Sequence, residues 1–193
     1  MSALSIVSQY FQPQTPRAYQ AGATLRRVML NLKGLHFEET SLSTANFSTT
    51  TSGICGTVAE KIDPLLFAHT VTTVFRFQIA PTSSAIFEWE LGHLGAMRRQ
   101  GVRINKKLAG SEAVEKLADQ IRTDPLVLQH WLPLDAKTCR LIGNENGVYL
   151  EMEHFGGSEV VASFPNIRRY VRITPEQWQY ALKVVREIKR IFA

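Results

Sequence analysis

At 193 residues, 45% of them hydrophobic and 20% charged, the chain is long enough for one ordinary domain and too apolar for a disordered one. Two cysteines 84 positions apart (Cys55 and Cys139) argue against a disulfide-dense secreted scaffold, and the absence of a signal-like start or an apolar run of ~18 residues argues against export and membrane spanning. The net charge of +5 is unevenly laid out: residues 1–34 carry +4, residues 35–167 carry −4, and residues 168–193 carry +5.

In chain order, residues 4–11 form a short apolar lead ended by Pro13 and Pro16, and residues 1–17 are expected to pack loosely. Leu25, Val28, Met29 and Leu32 fall at helical spacing, and Gly34 stands where a helix C-cap would. Residues 35–39 alternate as a strand does, residues 41–52 are rich in Ser and Thr, and residues 67–79 are rich in β-branched and aromatic side chains. Pro81 and the residues after it signal a turn, followed by an alternating strand through Phe87, Trp89 and Leu91. Ser111 can cap a helix with the stripe Val114, Leu117, Ala118 and Ile121, and Asp124-Pro125 starts a shorter one through Trp131. Strands are expected at 138–142 and 148–155, then at 159–164 after a turn at Gly156-Gly157, then at 169–173 beyond Pro165. Thr174, Pro175 and Gln177 form a capping box for a last helix whose stripe is Trp178, Ala181, Val185, Ile188 and Phe192. Clustered strands with helices near both ends define a single α+β domain: an antiparallel sheet, terminal helices and a helical pair near 111–132.

Most chemical motifs dissolve on inspection. Glu151, Glu153 and His154 suggest metal ligands, but on a strand His154 leaves the face that the two acids share, so no metal is expected. Gly156-Gly157-Ser158 matches only part of a nucleophile elbow, and a hairpin turn accounts for both glycines. Cys55 lies between small residues and is read as a small buried thiol. No phosphate-cradling loop occurs, and no cofactor is expected.

The run from Arg168 to Arg172 is different. On a strand, Arg168, Tyr170 and Arg172 share a face, placing two guanidiniums around a ring, a combination suited to an anionic or aromatic ligand. Pairing of those arginines with Glu151, Glu153 or Glu159 is the competing reading. The basic side of the last helix (Lys183, Arg186, Lys189 and Arg190) reads as a solvated face.

The wording of residues 138–182, with Gly156-Gly157-Ser158-Glu159-Val160-Val161, Pro165, then Arg168 through Thr174 and Glu176-Gln177, resembles a family of small bacterial proteins catalogued only as a domain of unknown function. The resemblance implies a bacterial origin and supplies no catalytic residue. The expectation is therefore a cytoplasmic, non-enzymatic binding domain for an anionic ligand or protein partner, with Arg168, Tyr170 and Arg172 as the site. Alternatives are a nucleic-acid binder using the basic C-terminal region, though no recognition motif is visible, and an enzyme centred on His154 with Glu151 or Glu153, or on Cys55.

Overall fold

The computed structural model describes residues 19–50, 53–65, 68–82, 85–95, 99–162 and 167–193; the lead segment, Phe67 and Pro165 lie outside them. Its elements run α1 (Ala23–Asn31), β1 (Leu35–Ser41), β2 (Thr44–Thr49), β3 (Cys55–Pro64), β4 (Ala68–Ala80), β5 (Phe87–Leu94) and β6 (Gly101–Leu108). Then follow α2 (Glu112–Thr123), α3 (Pro125–Trp131), β7 (Ala136–Asn144), β8 (Gly147–Ala162), β9 (Ile167–Val171) and α4 (Pro175–Phe192). The strands form one antiparallel sheet ordered β1-β2-β3-β4-β8-β7-β5-β6. Along its other edge β8 pairs first with β7 and then with β9. The α+β class, the helical pair and both terminal helices are as the sequence leads one to expect.

One expected turn is absent. Strand β8 continues through Gly156-Gly157 from Gly147 to Ala162. The glycines absorb an irregularity instead: Thr72 pairs with Ser158 but Val74 with Glu153, so β8 carries extra residues opposite Thr73. Gly157 has φ +74°, and a Cβ on it would lie 2.8 Å from Thr73 Oγ1. A Cβ on Gly156 would lie 2.9 Å from the Arg172 carbonyl oxygen. The double glycine therefore marks where β8 exchanges β7 for β9, a close backbone approach rather than a reversal. Ser158 Oγ donates to the Phe155 carbonyl (2.7 Å), a local role.

The helices pack on one side of the sheet. In α4 the expected stripe is buried from Trp178 to Ile188, with Leu182 and Val184 added to it and Phe192 only half-buried, and Trp178 sits 4.8 Å from the Phe75 ring and 6.3 Å from Phe47. Both halves of the capping box form, Gln177 N donating to Thr174 Oγ1 (3.2 Å) and Thr174 N to Gln177 Oε1 (2.9 Å). Asp124 caps α3 by accepting from Leu126 N and Val127 N, and its other oxygen holds Arg190 of α4 at 2.5 Å. Ser111 precedes α2 without a side-chain cap bond.

Helix α1 is fastened differently. Its N-cap, Gly22, has no side chain to offer, and Glu60 on β3 takes that role by accepting from Gly22 N (2.9 Å), Leu25 N (2.8 Å) and the Tyr19 hydroxyl. A carboxylate 38 positions away thus satisfies the orphan donors of the first turn. The helix ends at Asn31 with Leu32 as its C-cap, so Gly34 is not the cap the sequence suggests; with φ +99° it serves the turn into β1 instead.

Candidate ligand-binding groove

Period-two alternation leaves the other side of the sheet polar. In β4, Phe75, Phe77 and Ile79 are buried against the helices, and Arg76 and Gln78 point the opposite way. Strand register then sets Glu38, Asn46, Thr57, Arg76, Glu151, Arg140 and Glu90 in one cross-strand line over β1, β2, β3, β4, β8, β7 and β5.

The two halves of that line differ. Toward β5 the charges neutralise one another: Arg140 lies 2.6 Å from Glu151 and 3.5 Å from Glu88, and Lys107 3.2 Å from Glu90. Beside them Lys61 reaches Glu153 at 2.7 Å, and Lys137 reaches Asp63 at 2.9 Å and Glu153 at 3.3 Å. The hydrogen bond from Lys137 holds the Asp63 carboxyl below its usual range. Burial alone would raise Glu153, but Lys61 and Lys137 together outweigh it and hold that carboxyl low as well.

Toward β1 the line holds, among the described residues, no ion pair beyond the 3.8 Å approach of Arg76 to Glu151, and it floors a groove of about 740 Å³. Arg76 lies over the Tyr149 ring, 4.1 Å from its centroid, and Tyr149 is itself held by donating to the Asn146 carbonyl (2.8 Å). The nearest carboxylate to Arg76 is Glu151 at 3.8 Å, which Arg140 already engages at 2.6 Å. No N–H of Arg76 donates a hydrogen bond to a described residue, and its Nε is shielded from solvent as well. A guanidinium stacked in this way keeps its planar N–H fork in a fixed orientation, the geometry an oxyanion would need.

Cys55 also lines this groove and is exposed, which corrects the expectation of a buried thiol: it opens β3 on the outward side, where no helix covers it. It pairs with Ser48, whose partner on the far side is His36. Two strand spacings, ~10 Å at the backbone, thus separate Cys55 from His36, and neither side chain forms a hydrogen bond with a described residue.

The trio singled out in the sequence sits elsewhere. Arg168, Tyr170 and Arg172 do share a face, and α1 packs on it. Asn31 Nδ2 donates to the Tyr170 hydroxyl (2.8 Å), and burial pushes that hydroxyl up to about 12. Arg168 Nε lies 3.3 Å from the buried Glu159 carboxylate, which also takes Arg27 at 2.6 Å and the Thr24 hydroxyl at 3.1 Å. Arg168 also donates to Gln20 Oε1 (3.1 Å). Arg172 is exposed and forms no hydrogen bond or ion pair with a described residue. Of the three acids weighed as partners, Glu159 is the one used.

His154 follows Met152 on the helix-covered side, away from Glu151 and Glu153, so those three groups do not converge. Gly156 N donates to its Nδ1 (2.8 Å), and burial lowers its pKa, favouring the neutral ring. The unfolded chain takes up that proton near pH ~6.5, so stability is lost as pH falls below that value and is regained above it. Burial also lowers His69, His93 and His130, which add to the same slope. Urea midpoints measured from pH 8 to pH 5 should fall, and His154→Gln should remove up to ~1.4 kcal/mol per pH unit of that slope. An unchanged slope in the variant would show that His154 takes up its proton as readily in the fold as in the unfolded chain.

Sheet and groove together define a class: an α+β protein with helices on one face of a wide antiparallel sheet and a polar, grooved surface on the other. The chain belongs to the family described as Protein of unknown function (DUF3156), which matches residues 30–192. That span goes well beyond the 138–182 stretch that carries the resemblance and takes in the whole sheet, groove included. No curated protein and no solved structure matches the chain. Among the described residues, no helix is long and apolar enough to cross a membrane, and no three metal-ligating side chains cluster.

Proposed function

We propose that the chain acts as one non-enzymatic binding domain that holds a small carboxylate- or phosphate-bearing ligand in the open-face groove, anchored by Arg76. The carrying observation is that Arg76 is fixed on Tyr149 and spends no hydrogen bond on the protein, in a groove large enough for a small molecule. Its planar fork suits a bidentate oxyanion, and the stacked ring sets the plane in which the fork is offered. The two free cysteines, one exposed, fit a reducing, cytosolic compartment. The Arg168–Tyr170–Arg172 face is the second place for an anion, and its support is Arg172, the member of the trio left unpaired; Arg168 and Tyr170 are engaged with Glu159 and Asn31.

Backbone amide shifts under titration with benzoate and phenyl phosphate separate the two places. Shifts are expected at Thr57, Arg76 and Tyr149. Arg76→Gln should weaken binding at least ~10-fold, the loss of charge-assisted hydrogen bonds, while Arg172→Ala leaves it unchanged. Shifts confined to β9 and abolished by Arg172→Ala would move the site there. No shift in either region would end the anion reading.

A further inference from the structure

We infer that the groove accepts a short extended zwitterion, a peptide with both ends free, with its carboxylate on Arg76 and its ammonium on Glu38. This rests on the Arg76 reading above and adds the far end of the ligand. Glu38 lines the same groove, is exposed, and its carboxylate forms no ion pair or hydrogen bond with a described residue. It lies in the same cross-strand line as Arg76, three strand spacings away, ~14 Å at the backbone, too far for the two charges to pair with each other.

Between them stand Asn46 and Thr57, whose side chains also make no hydrogen bond with a described residue. The order is therefore carboxylate, amide, hydroxyl, guanidinium, all facing one groove and none spending a side-chain hydrogen bond on a described residue, with Glu151 3.8 Å from the guanidinium. The other half of the same line shows what this sheet does with opposite charges close enough to meet: it pairs them. A ligand matching the unpaired half has a cation at one end, an anion at the other, and groups between them that both donate and accept. Three or four extended peptide residues span that length at ~3.3–3.6 Å each, and their amides supply the donors and acceptors. Charge complementarity at both ends favours this occupant over a simple anion, which would leave Glu38 facing a bare groove.

The probe is tetra-alanine with free ends, compared with its N-acetylated and C-amidated forms by the same amide-shift titration. The wild-type protein should bind the free peptide at least threefold more tightly than the acetylated form and about tenfold more tightly than the amide. Glu38→Gln should bind free and acetylated peptide equally while still preferring both to the amide. Because Glu38 is exposed and unpaired, this variant should keep the wild-type urea midpoint. Equal wild-type affinity for free and acetylated peptide overturns the zwitterion inference, and the anion reading stands if Arg76→Gln weakens both. If Arg76→Gln weakens neither, the anion reading itself fails and this inference with it.

Discussion

Phe75→Ala should lower the unfolding free energy by about 3–5 kcal/mol, the usual cost of deleting a buried phenylalanine. Phe75 is 0% exposed and touches the rings of Phe47 (5.9 Å), Phe77 (6.3 Å) and Trp178 (4.8 Å), so the void would open where α4 seats on β4. Neighbours that already contact one another cannot collapse into the space without shifting the helix. A domain of this kind has ~5–15 kcal/mol in all, so this one change should consume a large part of it. The shift in urea midpoint at unchanged slope measures the effect. A loss under ~1 kcal/mol would mean that α4 is held mainly by its contacts with α3.

The second large effect concerns Glu159 and is non-additive. The side chain is 1% exposed, whereas its partners Arg27 and Arg168 are 44% and 31% exposed. Removing the acid leaves two guanidiniums that water can reach. Removing both arginines leaves a buried carboxylate with, among the described residues, only the Thr24 hydroxyl, and an uncompensated buried charge costs about 3–5 kcal/mol. Arg27→Ala/Arg168→Ala should therefore be strongly destabilised, and adding Glu159→Gln should restore part of the loss. A triple variant no more stable than the double would show that the arginines act through packing against α1 and β9 rather than through charge.

Helices were the most legible part of this protein, because their signals are local. Asp124-Pro125 and Thr174-Pro175 with Gln177 mark helix starts by side chains that reach only two or three residues, and the structure uses both. Strands rich in buried apolar residues were legible too, β4 by its β-branched and aromatic composition and β5 by alternation. Three strands were not. Strand β2 lies inside the Ser/Thr-rich stretch, β3 buries little beyond Val58, and β6 is an edge carrying Arg103, Lys106 and Lys107. Such strands are held by pairing with neighbours more than by apolar pattern. The groove went unread for the same reason, since two of its strands are β2 and β3. One signal for it was present: Arg76 between Phe75 and Phe77 must point away from the core.

Strand geometry likewise placed Arg168, Tyr170 and Arg172 on one face, and it could not say that α1 covers that face. The basic ends show the same division. Their charge is written in the sequence, but Arg27 and Arg168 meet on one buried acid and Arg190 meets Asp124 at the surface, so part of the excess is neutralised by acids distant in sequence. Periodicity, caps and charge placement follow from neighbours two to four residues apart, and the chain alone determines them. Which face is covered, which charge finds a partner and which is left facing a groove depend on groups as far apart as Thr24 and Glu159, 135 positions, and only tertiary packing brings these together.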